Sequence, residues 1–308
     1  PNTTPSKITL SSASDCTYSQ SLGYGFSVNW QAESSSDKYT VDISESNDFT
    51  PLLSTFNTNL TTQPFVGLKA GTQYFFRVKG VNDSASGEYS DTGSKTTIPP
   101  AVENLSFSNI TCGGCVDISF DAALGALSYD LYIATDSTFS TLFSNYDPKN
   151  LSTTSTQVCG LSKGVEYFVK IIAKNDCGDS LGNSSSFLTP PSPTVARPAT
   201  SVTSTQFVAN WDQASLATHY FIDVATDSAF SNILTAYDKL RVSTTSKQIE
   251  GLTEASYYYR IYAANESGYC NPSNSQTVQM VLGAPSTAPS SGLTKDCSIS
   301  GGTSSSVG

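Results

Sequence analysis

The sequence predicts an all-β protein: three tandem β-sandwiches in an end-to-end array, followed by an incomplete fourth unit at the C-terminus. Three observations lead there. The chain repeats itself at a period of about 90 residues. Short segments within each period alternate apolar and polar side chains, the signature of a strand with one buried face. Proline-rich joints fall at the period boundaries.

Composition agrees with short, turn-rich strands. Only 14% of the 308 residues are charged, against about a quarter in ordinary domains, while aromatics reach 11%. The formal charge of −10, with no Lys/Arg cluster set against it, repels a phosphate backbone, so nucleic acid is not an expected partner. No run approaches the roughly 18 apolar residues of a spanning helix, and no membrane insertion is expected. The chain starts at Pro1 with neither an initiator Met nor a signal peptide, which reads as a processed chain or a piece of a longer one. Seven cysteines against one methionine point to an oxidising compartment, outside the cell or at its surface.

In chain order, the first recurring element is an apolar strand ended by a large aromatic. Phe26 to Trp30 returns as Val116 to Phe120 and as Phe207 to Trp211. Phe120 keeps the core and gives up an indole N–H. Next comes a strand with Tyr39, Val41 and Ile43 on one face, matched by Tyr129, Leu131 and Ile133 and by Tyr220, Ile222 and Val224. A turn follows, at Asp48-Phe49, at Asp136 to Phe139 and at Asp227 to Phe230. Gly-Leu corners at Gly67-Leu68, Gly160-Leu161 and Gly251-Leu252 lead into Tyr74 to Val78, Tyr167 to Ile171 and Tyr257 to Ile261. Each of these last strands runs on to an asparagine: Asn82, Asn175 and Asn265.

The joints are Ile98-Pro99-Pro100, Pro190-Pro191-Ser192-Pro193 and Ala284-Pro285. Proline fixes φ and blocks continued strand pairing, so they act as semi-rigid spacers and set expected boundaries at 1–98, 99–191 and 192–283. In residues 284–308, Asp296-Cys297-Ser298 follows Pro285 and Leu293 much as Asp15-Cys16-Thr17 follows Pro5 and Leu10. The tail therefore reads as the opening strand and loop of a fourth repeat. It is either a sequence boundary or a segment that docks on another copy or on further repeats, since a lone strand buries no face.

A Trp-ended second strand, a Gly-Leu corner and a Tyr-x-aromatic-x-Val/Ile strand together resemble the fibronectin type III family over residues 1 to 283. The resemblance implies seven-stranded, immunoglobulin-like sandwiches with tyrosine corners at Tyr74, Tyr167 and Tyr257. In that fold the A–B and E–F loops lie at one end and the F–G loop at the other. It thereby implies a Cys115–Cys159 bridge inside the second repeat and, for stacked repeats, Cys16–Cys177 and Cys112–Cys270 bridges across the two joints. A Cys112–Cys159 bridge is the local alternative. Cys297 is left over, and by its match to Cys16 it is expected to reach a repeat outside this chain. The Ala-Thr-Asp-Ser-x-Phe segments are also similar to those of secreted surface proteins of Bacteroidota, clients of type IX secretion. In that group Asp-Ser followed by a small or aliphatic residue resembles an O-glycosylation acceptor, which makes Ser84, Ser137, Ser180 and Ser228 candidates.

The rival signal for sugar is Asn-x-Ser/Thr, present at Asn2, Asn59, Asn82, Asn104, Asn109, Asn150, Asn183 and Asn265. Chemistry beyond this is sparse. The single histidine, His219, reads as a loop or edge residue, and no Gly-x-Ser-x-Gly elbow, phosphate loop or EF-hand series is present. Cys112 and Cys115 are spaced like half a zinc knuckle, with no second pair to complete it. The segments Ala134 to Ser140 and Ala225 to Ser231 could aim an Asp at calcium, but such Asp and Ser side chains ordinarily cap their own turn.

The expectation is therefore a non-catalytic extracellular structural or adhesive segment, disulfide-stapled and glycosylated, with no cofactor. Its partners would be other copies of itself and, in one reading, glycans. The alternatives are a spacer of a secreted multidomain hydrolase and an array of carbohydrate-binding modules, the last requiring an exposed aromatic platform.

Overall fold

The computed structural model describes residues 3–281, so Asn2, Cys297 and the tail 284–308 lie outside the described residues. It is an all-β chain. In the first repeat the strands are β1 (Ser14–Ser19), β2 (Gly23–Asn29), β3 (Lys38–Ser44), β4 (Ser54–Thr58), β5 (Thr62–Leu68), β6 (Gln73–Val81) and β7 (Gly93–Thr96). They form two antiparallel sheets, ordered β1-β2-β5 and β4-β3-β6-β7.

The second repeat contributes β8 (Ser106–Ser108), β9 (Val116–Ser119), β10 (Ser128–Ala134), β11 (Lys149–Leu151), β12 (Ser155–Val158), β13 (Glu166–Asn175), β14 (Gly178–Asp179) and β15 (Asn183–Leu188). Its sheets are β12-β9-β8 and β11-β10-β13-β14, with β15 also paired to β13. The third has β16 (Ala196–Thr200), β17 (Phe207–Trp211), β18 (His219–Ala225), β19 (Leu240–Val242), β20 (Ser246–Ile249), β21 (Ser256–Asn265), β22 (Gly268–Tyr269) and β23 (Gln276–Gln279). They are ordered β16-β17-β20 and β19-β18-β21-β22, with β23 on β21. The seven strands expected of each repeat become eight in the second and third, because the loop after β13 and after β21 folds back as a two-residue hairpin strand.

The alternation read from the sequence is the burial pattern. Along β6, Tyr74, Phe76 and Val78 are buried while Phe75, Arg77 and Lys79 are not. They pack with Val41 and Ile43 on the neighbouring strand β3 and with Phe26, Val28 and Trp30 from the facing sheet. The second repeat has the same design around Val116, Ile118, Leu131, Ile133, Val169 and Ile171. Each such side chain contributes roughly 1.5–3 kcal/mol by leaving water. Trp30 and Phe120 directly follow β2 and β9 and stand edge-on to Tyr39 and Tyr129, with ring centroids 5.4 Å and 4.9 Å apart. The buried Trp30 Nε1 has no acceptor among the described residues, so Phe120 forfeits no hydrogen bond at the equivalent place.

The turn after β3 corrects the sequence alignment. Phe49, Phe139 and Phe230 each donate their amide to the residue three positions back, which is Ser46, Asp136 or Asp227. Asp48 is therefore out of register, and Ser46 stands where the other repeats have Asp. All three Phe residues adopt left-handed φ, at 61°, 57° and 57°, which is rare for a bulky side chain. The ring then covers a cation on the neighbouring strand. The Arg77 guanidinium lies 4.1 Å from the Phe49 centroid and 4.0 Å from that of Tyr89, Lys170 lies 4.6 Å from Phe139, and Arg260 lies 4.1 Å from Phe230. Arg77 also binds the buried Asp42 through Nε and Nη2, both at 3.0 Å.

The chain divides into two compact units. Residues 1–194, 213–221 and 262–272 make up the first, and residues 195–212, 222–261 and those from 273 on make up the second. In the second unit Phe207, Ile222, Val224, Ile249, Tyr257, Tyr259, Ile261 and Val278 are buried. Asp223 is buried there too, where desolvation opposes its charge, yet hydrogen bonds from Lys239 and Arg260 outweigh this and hold its pKa below the ordinary value.

Candidate functional site: the joints of the first unit

The expected tyrosine corners are present. Tyr74 and Tyr167 hydroxyls accept the amides of Lys69 and Ser162 at 2.9 Å, and the Tyr257 hydroxyl accepts those of Thr253 and Glu254. A second set, unforeseen from sequence, closes the loop before β3, β10 and β18. Tyr39, Tyr129 and Tyr220 each accept the amide six residues upstream, from Glu33, Ala123 and Ala214. The corner loops stand against the linkers. Thr97 Oγ1 donates to Lys69 O and accepts Thr72 N, and Gly71 N reaches Ile98 O. Thr189 Oγ1 does the same with Ser162 O and Val165 N, and Gly164 N reaches Pro190 O.

The next repeat is clamped onto this platform by its asparagine. Asn175 Nδ2 donates at 2.9 Å to Thr97 O in the linker and at 3.0 Å to Gly125 O in its own loop. Asn82 spans Thr3 O and Ser35 O in the same way, and Asn265 donates to Thr189 O. At the first joint the backbones nearly touch: a Cβ on Gly71 would lie 1.9 Å from Leu124 O, and one on Gly125 would lie 2.4 Å from Gly71 O. A polar cleft of about 400 Å³ lies beside this contact, bordered by Lys95, Thr96, Leu127 and Asp176.

Disulfides close both joints. Cys16 is bonded to Cys177 and Cys112 to Cys270, while Cys115 is bonded to Cys159 inside the second repeat. These are the pairs that the family's loop geometry implies. Cys16 lies within β1 and not in a loop, at a register shift between Ser14 and Thr17 that leaves it without a ladder partner on β2. Cys115 and Cys159 flank the Val116–Val158 pair of β9 and β12. With both sulfurs oxidised, Cys112 and Cys115 do not form a thiolate metal pair. Among the described residues no cluster of three His, Cys, Asp or Glu side chains is placed to hold a metal.

His219 is the buried first residue of β18 and not a loop or exposed edge residue. It packs edge-on against Phe221, which in turn meets Tyr269 next to Cys270. The Phe221 and Tyr269 rings are inclined at 60°, and Tyr262 and Tyr269 at 68°, so this cluster braces the hairpin and is not a flat platform for a sugar ring.

The glycosylation candidates separate by burial. Asn82, Asn265 and Ser180 are only 8%, 3% and 7% exposed. The two amides are the clamps just described, and the Ser180 hydroxyl accepts Ala173 N at 2.9 Å, as Ser90 and Ser273 accept Val78 N and Ile261 N. A glycan on any of the three would break the fold that buries it, which corrects the expectation for these residues. Asn183 is partly buried and donates to Val102 O. Asn59, Asn104, Asn109, Asn150, Ser84, Ser137 and Ser228 are exposed. Asp136 and Asp227 are turn caps. Asp136 accepts the Thr138 hydroxyl and the amides of Thr138, Ser140 and Thr141, and Asp227 accepts those of Ala229, Ser231 and Asn232. These donors, led by the Thr138 hydroxyl and the Ser231 amide, hold the Asp136 carboxyl well below the ordinary carboxylate range and lower that of Asp227.

Paired antiparallel sheets, repeated tyrosine corners and oxidised cysteines define a fold class, tandem sandwiches of fibronectin type III-like or immunoglobulin-like form linked by disulfides, a combination that fits an extracellular or secreted protein. Residues 11–96 match the sequence model of the family "Fibronectin type III domain". Human "Fibronectin type III domain-containing protein 7" is 26% identical over 253 residues, which span 78% of this chain and 31% of that protein. The crystal structure of chicken CNTN1 FN1-FN3 domains covers 90% of this chain and 99% of its own, with 16% identity and a TM-score of 0.33.

Proposed function

We propose that the chain is a non-catalytic structural or adhesive segment of an extracellular surface protein, made of three repeats at 1–98, 99–191 and 192–283 that serve as a stiffened spacer. The observation that carries this reading is the construction of the joints. A flexible tether needs none of the Thr97–Asn175 and Thr189–Asn265 bonds or the Cys16–Cys177 and Cys112–Cys270 bridges, each of which resists bending between neighbours. The exposed acceptors Ser84, Ser137, Ser228, Asn104, Asn109 and Asn150 would carry the glycan of such a surface. Docking of residues 284–308 on another copy, through Cys297, belongs to the same proposal.

Small-angle X-ray scattering of the full chain, oxidised and reduced, tests it. An elongated particle whose distance distribution broadens and shortens on reduction supports the spacer. A distribution indifferent to reduction overturns it.

A further inference from the structure

We infer that the first repeat carries a homodimerisation edge, on which β4 pairs antiparallel with β4 of a second copy across a two-fold axis. The three repeats treat this edge differently. In the second and third repeats the corresponding strands, β11 and β19, are three residues long and carry Lys149 and Arg241. Short length and an edge cation are the usual devices that prevent sheets from joining. β4 has five residues, Ser54–Thr58, with no charge, proline or glycine among them, and it closes one end of its sheet. Its outer backbone groups face away from β3.

The surroundings match. From Thr50 to Leu68 the sequence has no charged residue, and this stretch supplies both β4 and the edge strand β5 of the facing sheet. Leu53 and Val66 are 51% and 52% exposed, and with Phe56, Pro64 and Phe65 they line an open apolar groove of about 390 Å³ between the two edges.

The occupant follows from charge and symmetry. Two chains of charge −10 repel over most of their surface, and a charge-free stripe is where their approach costs least. An antiparallel pair across a two-fold axis asks for no second sequence, because each β4 offers the other the same groups. A five-residue edge is only about 17 Å long, which makes for a small interface, so the dimer is weak and dependent on concentration. This inference does not rest on the spacer reading: scattering from dilute monomer tests that one alone.

Sedimentation velocity of the full oxidised chain from about 1 to about 200 μM brackets the dissociation expected of so small an interface. The wild type is expected to pass from monomer to dimer, the double variant Leu53→Lys/Val66→Lys to remain monomeric, and Leu181→Lys, on an exposed site of the second repeat, to dimerise as wild type. A wild type monomeric throughout overturns the inference, as does a double variant that dimerises unchanged. Hydrogen exchange of the wild type alone guards against a misfolded variant: amides of residues 54–58 should slow at high concentration, and unchanged rates there in a dimerising sample place the interface elsewhere.

Discussion

Asn82, Asn175 and Asn265 hold one position in three repeats, and a primary amide suits it because one nitrogen can serve two carbonyls while the oxygen caps the following turn. The oxygens do so, accepting the amides of Ser84, Cys177 and Ser267 at 2.8 to 3.0 Å. Asn265→Ala leaves the Thr189 carbonyl and the Ser267 amide without these partners and should cost about 1–3 kcal/mol, read as faster hydrogen exchange across residues 186–192. Asn59→Gln, on an exposed turn, should leave those exchange rates unchanged. Peptide mapping of natively produced protein should correspondingly find Asn82, Asn265 and Ser180 bare. The two sequons were legible as tripeptides, but a tripeptide does not say whether its amide nitrogen points to water or to a linker carbonyl. The Asp136 and Asp227 caps give a pH dependence with a definite sign. Both pKa values lie below the ordinary 3.8, so their stabilisation is complete above that value and is lost as pH falls through the lower, folded values. Asp136→Asn/Asp227→Asn should flatten the acid limb of a thermal-stability profile and leave its slope above pH 5 or so unchanged.

Among the elements, the strands were readable because period-two alternation is a burial code, and Tyr74, Val78, Ile133 and Ile171 were placed on inner faces by it. What alternation does not encode is the partner of a polar tip or the register of a turn. Tyr39, Tyr129 and Tyr220 were seen as inward residues, yet their hydroxyl bonds to the preceding loop were not, and Asp48 was aligned with Asp136 although Ser46 holds that place. The corner glycines separate two costs. Gly71 and Gly160 both have positive φ, 58° and 87°, but a Cβ on Gly160 meets nothing within 4 Å, whereas on Gly71 it meets Leu124 O. Gly160→Ala should cost about 1–2 kcal/mol for the left-handed backbone alone. Gly71→Ala should cost more and should in addition speed exchange in residues 97–102, because a backbone must move to admit the methyl group.

At the scale of the whole molecule, the sandwiches and their cross-repeat bridges were foreseeable once the family resemblance fixed which loops lie at which end. The difference between edges β4, β11 and β19 was not, since it depends on where each strand stops. Cys16→Ser/Cys177→Ser removes the bridge of the first joint and should lower stability by about 2–5 kcal/mol, most of it through the unfolded chain, while Cys115→Ser/Cys159→Ser should leave both joints' exchange rates as they are.

The two joint bridges overlap along the chain, since Cys112 lies inside the span from Cys16 to Cys177 and Cys177 inside that from Cys112 to Cys270. A single peptide-bond cut anywhere between Cys16 and Cys270 therefore severs the backbone without parting the molecule. Limited proteolysis should show one band at full mass on a non-reducing gel and its fragments only after a thiol is added. A chain wired in this way stays in one piece after its first encounter with a protease.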